Sequence, residues 1–425
     1  MLAAAVLAIA LAQGGPYCWR NGSGIVVCGQ NINRGSSHPY ARSPRAWGRS
    51  DLGSPILELA PLSGAGMGAA CACQNITGSK GEVVTFSRAS VGECYSTDAQ
   101  TITQCASNIP RVMSGNTAVS QLGLLFETAK QNDLLWSRDW SNAAWVKTSM
   151  TCTRTATGMR NDANGASLCT ATAGLGTVLQ ATTTDVTTRN FTFHIKRVTG
   201  TGTVEATVDG ATWVDITASL TSSWKRVVGR ETLGCTGGNC IVVAGLSNSV
   251  ASKNTGIRIT TSGDAVAVDF AQLETGVVVS TPIETTTAVA TRAVDAATVA
   301  VPALASMASV GCARAVLQRG SATGDTGSVD GDAVTGRYLL FNTTASATDG
   351  TNTATIAGTG GFGAVVSYRS EWGTGALTVY NETAVTSNAA AFTGTMGTTG
   401  PVSLTAGNYV LKSLTLDRKL GSGCR

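Results

Sequence analysis

The sequence predicts an all-β protein: two β-sandwich domains, the first with the length of a jelly roll and the second smaller, after a short irregular N-terminal region. Three observations carry that expectation. From Gly81 onward, short β-branched runs are broken by Gly, Asn, Asp and Ser, the texture of a sandwich or barrel. No segment of helical length carries an apolar stripe of 3.6-residue period. Charged residues are 13% of the 425, about half the ~25% of an ordinary globular protein, while glycine reaches 50 copies against 9 prolines.

Residues 1–12, MLAAAVLAIALA, form an apolar stretch too short to span a bilayer. Ala10-Leu11-Ala12 supplies the small residues of a cleavage site, so 1–12 is expected to be a signal peptide that lacks the usual basic start. Residues 13–80 are rich in Gly, Ser, Pro and Arg and are expected to be irregular. A β-rich framework segment follows over 81–131, then a jelly roll over 132–296 and a second sandwich over 297–425. The Ala- and Thr-rich stretch near Thr285–Ala308 marks the junction of the last two.

Individual strands are legible. Phe191, Phe193 and Ile195 alternate with Thr192, His194 and Lys196, so the two sets face opposite sides of a sheet. Val204-Glu-Ala-Thr-Val208 alternates likewise and leads into Asp209-Gly210, a dipeptide suited to a tight hairpin. The returning strand would be Ala211–Ile216. Further strands are expected at Ile257–Ile259, Ala265–Ala271, Leu377–Tyr380 and Tyr409–Leu416.

Twelve cysteines fall largely as near neighbours: Cys18/Cys28, Cys71/Cys73, Cys94/Cys105, Cys152/Cys169 and Cys235/Cys240, with Cys312 and Cys424 as a distant couple. A zinc knuckle would need C-x2-C spacing or nearby histidines. Neither is present, so disulfides formed after export are expected. Sequence cannot fix their connectivity, and Cys71 and Cys73 are the weakest local pair because so short a loop strains the bond.

The residues Val84-Thr-Phe-Ser-Arg-Ala-Ser90, Asn108-Ile-Pro-Arg111 and Leu122-Gly-Leu-Leu-Phe-Glu127 come in an order that resembles a module of phage tail and head-fibre proteins, found also in secreted bacterial proteins. The series continues with Leu135-Trp-Ser137, Trp140–Trp145, Trp224-Lys-Arg226, Gly256–Ile259, Asp269–Glu274, Ser280-Thr-Pro-Ile283 and Thr291-Arg-Ala-Val-Asp295. It covers about half the chain. The resemblance implies a carbohydrate-binding, lectin-like jelly roll followed by a concanavalin A- or laminin-G-like sandwich. Jelly rolls of that kind hold a structural calcium, and by resemblance alone Asp269 and Asp133 are its candidate ligands; no other cofactor is implied. The extra cysteines and the export signal depart from the phage versions and favour a secreted protein over a virion component.

Sugar recognition by a sandwich combines an aromatic platform with fixed polar groups. Trp213, directly after the Asp209-Gly210 turn, is the leading candidate, followed by Trp136, Trp140 and Trp372, which sit among polar neighbours. Trp145 and Trp224 are expected in the core. A glycosidase would need two facing carboxylates; Glu205 and Asp215 across the hairpin form one such pair, but no signature selects them. A Ser-His-Asp triad would have to use His38 or His194, with no G-x-S-x-G elbow to support it.

Together these readings predict a non-enzymatic glycan-binding protein, secreted, open to homo-oligomer formation, and without a membrane span. Its net charge of +4 is too mild and scattered for nucleic acid. The alternatives are a virion or tail-fibre structural component and a polysaccharide-degrading enzyme.

Overall fold

The computed structural model describes residues 17–20, 26–29, 57–59, 76–77, 83–95, 101–114, 122–183, 185–230, 238–249, 251–276, 278–301, 307–320, 327–332, 336–341, 343–360, 363–396, 401–405 and 407–417. The chain is almost entirely β. Among the described residues, the helical elements are two single 3-10 turns, Thr217–Ser219 and Ala244–Leu246. No helix there is long and apolar enough to cross a membrane. The signal-peptide assignment, His38, Cys71, Cys73, Cys235 and Cys424 lie outside the described residues.

Two compact units make up the chain: Met1–Ser54 with Gly64–Gly68, and Pro55–Ser63 with Ala69–Arg425. In the first, the strands Tyr17–Arg20 and Val26–Gly29 pair with Cys18 opposite Cys28.

The second unit holds two pairs of sheets. In the first pair, a five-stranded sheet runs in the order Val146–Thr148, Gly176–Thr183, Ser252–Ile259, Val204–Thr207, Val214–Asp215. Its partner sheet contains Met150–Ala156, Ala166–Ala171, Ala265–Thr275, Arg189–Thr199, Lys225–Val228 and Cys240–Val242, with Ser247–Asn248 attached to Arg189–Thr199. Period-two alternation sends Val178, Val204, Ala206, Ile257 and Ile259 of one sheet and Phe191, Phe193, Ile195, Val266 and Val268 of the other into a common core.

The second pair consists of two eight-stranded sheets around a core that includes Tyr338, Tyr368, Trp372, Leu404 and Leu414. Val83–Ser87 pairs with Ala296–Val299 in one of these sheets, while Leu122–Phe126 pairs with Tyr409–Asp417 in the other. Phe86 and Phe126 therefore belong to the C-terminal core, their rings 6.0 Å apart. In space, strands of the framework segment are parts of the C-terminal sandwich.

Two local expectations change. The Asp209-Gly210 pair does not close a tight hairpin: the last rung is Ala206 opposite Val214. The Asp209 carboxylate accepts from the Ala211 and Thr212 N–H groups at 2.9 and 2.7 Å, which folds residues 208–213 into a wider loop around it. The strand Ala265–Thr275 also breaks its alternation. Phe270 takes φ +49° and the register shifts between Thr192 and His194, a β-bulge. Phe270 thereby leaves the side of Val268 and joins Ala267, Met159 and Trp224 in a smaller cluster on the other face.

Disulfides join Cys94 to Cys105 and Cys152 to Cys169, each across an antiparallel hairpin. Cys240 and Cys312 are disulfide-bonded as well. The Cys152–Cys169 bridge closes a separation of 17 residues, which in the chain-entropy account stabilises the fold by about 3 kcal/mol. Replacing both cysteines with alanine is expected to lower the thermal midpoint by several degrees. An unchanged midpoint would mean the hairpin is held without its bridge.

Candidate functional site

All four candidate tryptophans are engaged by the protein itself, two of them completely. Trp140 has no exposed surface; it stacks on Trp145 with ring centroids 4.1 Å apart and donates its indole N–H to the Ser137 carbonyl. Trp372 is equally enclosed, stacked on Tyr338 at 5.2 Å and donating to the Met307 carbonyl at 2.6 Å. Neither has a ring face to offer a pyranose. Their polar neighbours in sequence point elsewhere, so both belong to the core. Trp136 is half-buried, packs against the same core as Trp140, and accepts the Trp145 indole N–H at its carbonyl. Trp213 is half-buried in the 208–213 loop, and the Arg258 guanidinium lies 4.4 Å from its ring centroid.

The two aspartates proposed for calcium are already paired. Asp269 accepts from Arg138 Nε at 2.9 Å and Nη2 at 3.1 Å, and from the Met159 and Phe270 N–H groups at 2.8 and 2.9 Å. Burial pushes its carboxyl up despite these donors. Asp133 accepts from Arg189 Nε and Gln131 Nε2, both at 2.8 Å. The oxygens a calcium ion would use are taken by arginine, amide and backbone donors. Among the described residues, no three His, Cys, Asp or Glu side chains are grouped to hold a metal.

His194 is buried beneath Tyr95, whose hydroxyl is 3.3 Å from Nε2. Burial, with Arg226 and Arg138 nearby, holds its pKa well below 6.5, so the ring is neutral.

The outward face of the five-stranded sheet is organised differently. Register places Thr148 beside Thr177, Thr177 beside Arg258, Arg258 beside Glu205, and Glu205 beside Asp215. One polar row therefore crosses all five strands from edge to edge. Each of its members is at least partly exposed. Arg258 Nε donates to Glu205 Oε2 at 2.6 Å while its guanidinium lies against Trp213, so an aromatic ring and a fixed ion pair sit side by side. The adjacent row carries Val146, 62% exposed, beside the half-buried Leu179 and then Gly256.

A second constellation, missed from sequence, is a buried ionic junction. Glu127 accepts from Arg111 and from the Thr281 N–H and hydroxyl, the latter two at 2.7 Å, and is ion-paired with Arg292 at 3.0 Å. Asp295 accepts from Arg111, from Arg88 at 3.3 Å and from the Glu127 N–H at 2.9 Å. All five charged side chains are essentially inaccessible to solvent. These are the charged residues of the motifs Ser87-Arg-Ala, Pro110-Arg, Phe126-Glu and Thr291-Arg-Ala-Val-Asp295; the signal that could have found them was charge inside otherwise apolar framework motifs.

Burial raises the Glu127 carboxyl, but Arg292, Arg111 and the two Thr281 hydrogen bonds outweigh it and hold it at about 2. Because that lies below the ordinary 4.5, its contribution to stability is complete above pH 4.5 and is lost as pH falls through about 2. Glu127→Gln leaves two buried arginines underpaired and is expected to cost about 3–5 kcal/mol at neutral pH. Denaturant titrations from pH 7 to pH 2 should show the gap to the parent protein narrowing below pH 4.5. A gap independent of pH would show that packing, not charge, accounts for the loss.

No family model matches this chain and neither does any curated protein, so its functional reading stands on the geometry above.

Proposed function

We propose that this is a non-catalytic glycan-binding protein that works outside the cytosol and uses the outward face of its five-stranded sheet. The observation that carries this reading is the cross-strand polar row with Trp213 against it. A half-exposed indole supplies a surface for the C–H face of a pyranose, and the adjacent carboxylates, guanidinium and hydroxyls supply donors and acceptors for its hydroxyl groups. Four disulfide-bonded cysteines in two assigned bridges, with Cys240 and Cys312 also oxidised, support an oxidising compartment.

The same face argues against hydrolysis. Glu205 and Asp215 do face each other across the hairpin, but a glycosidase needs one carboxyl kept protonated as general acid. Asp215 is instead held low by the Thr217 hydroxyl and N–H, and Glu205 is tied to Arg258.

A virion or tail-like fibre component is the second reading. It is favoured by the junction, where the charged residues of the motifs that resemble fibre proteins lock framework strands onto the C-terminal sandwich. A fibre role would show as a stable trimer in solution with no glycan affinity.

A glycan array probed with the mature chain and with Trp213→Ala tests the first reading. Loss of about 30-fold in affinity is expected, the roughly 2 kcal/mol of a hot-spot aromatic. Equal binding by the variant would remove this face from consideration.

A further inference from the structure

The geometry of the row says more about the ligand than that it is a sugar, and the step rests on the glycan-binding reading. Thr148 and Asp215 stand on the two edge strands, with Thr177, Arg258 and Glu205 between them, one residue per strand. Adjacent strands lie about 4.8 Å apart, so the five positions span roughly 19 Å, close to four pyranose units of a linear chain. Both ends of the row are exposed residues on sheet edges, which leaves a bound chain free to run past either end. A pocket for a terminal sugar would close around one position; this row repeats a hydrogen-bonding group at each strand. Beside it, Val146 and Leu179 offer an apolar strip parallel to the polar one.

Charge narrows the class further. Arg258 is the row's one cation, and Glu205 neutralises it at 2.6 Å. Asp215 adds a second carboxylate, and its hydrogen bonds come from Thr217 rather than from a cation. The face as a whole is therefore neutral to acidic. Hydroxyl-rich, uncharged chains fit it, while a polyuronate or sulfated chain would meet like charge.

We infer that the site takes an internal stretch of about four units of an uncharged linear polysaccharide, laid across the five strands with one end at Trp213. Calorimetric titration with neutral oligosaccharides of two to six units, in the β-1,4-glucose, β-1,4-mannose and β-1,4-xylose series, tests this, with oligogalacturonates alongside. For a series that binds, affinity is expected to climb about tenfold or more from dimer to tetramer and then level off, and the oligogalacturonates to bind more weakly. Thr148→Val, a shape-conserving change at the far end of the row, is expected to weaken the tetramer about threefold and leave the dimer unchanged.

A dimer that binds as tightly as the hexamer would overturn the extended site while keeping glycan binding. So would an oligogalacturonate that outcompetes the neutral chains, or a Thr148→Val variant that behaves as the parent with every length. Absence of binding to every series, with the parent and Trp213→Ala indistinguishable, would overturn the glycan reading itself.

Discussion

The second unit depends on one interaction: the burial of Glu127 and Asp295 against Arg88, Arg111 and Arg292. Taking five charges out of water costs several kcal/mol per ion, and attraction offsets that only where geometry and further hydrogen bonds are complete. Here they are extensive. Glu127 has three donors and an ion pair with Arg292; Asp295 receives two arginines and a backbone N–H. Arg88 spends its remaining donors on the carbonyls of Ser90, Ala106 and Ile109, and Arg292 donates to the Thr128 carbonyl. Removing any one member strands the others in a low-dielectric interior. The junction therefore acts as a registration device: strands far apart in sequence, such as Val83–Ser87 and Ala296–Val299, are fixed next to each other by Arg88 meeting Asp295, 207 residues away.

A consequence is that the two sheets of the first sandwich differ in what they offer outward. On the larger sheet, Thr192 and His194 point away from the core, yet both are buried. Tyr95 and Ile102 of the cystine-closed hairpin pack there with Ala267 and Phe270. Its central strand is covered on both faces, as the unbroken burial of Ala265–Glu274 shows, while the edge strand Met150–Ala156 keeps exposed residues. The five-stranded sheet keeps the alternation of a sheet wetted on one side: Val204 and Ala206 inward, Glu205 outward; Ile257 and Ile259 inward, Arg258 outward. The candidate face lies where the framework hairpin does not reach.

What was legible in the sequence is what period-two alternation and short-range pairing control. Phe191–Lys196, Ile257–Ile259, Leu377–Tyr380 and Tyr409–Leu416 fall within strands, and Cys94/Cys105 and Cys152/Cys169 bridge because hairpins bring near neighbours together. What escaped depends on register or on a single dihedral. A positive φ at Phe270 moves one ring to the other face of its sheet, and no composition rule announces it. Trp140 and Trp372 have polar neighbours in sequence, whereas their burial is decided by the strands that pack on them. Arg111 and Asp295 are 184 residues apart, beyond what spacing conveys. The row from Thr148 to Asp215 is likewise invisible until four pairings are known, although Trp213 and the Glu205/Asp215 couple at its end could be named in advance.

That couple bears on the role proposed for the face. Like charges directly opposite on antiparallel strands repel, and here each carboxylate is given its own partner. Arg258 relieves Glu205, and the Thr217 hydroxyl and N–H hold the Asp215 carboxyl below its ordinary range. Asp215 is thus an exposed, ionised acid close to a stacked indole and guanidinium. Under the proposed glycan-binding role, a ligand's donors would complete the arrangement. Hydroxyl groups are suited to complete this one: they donate to the carboxylates, accept from the guanidinium, and bring no charge of their own.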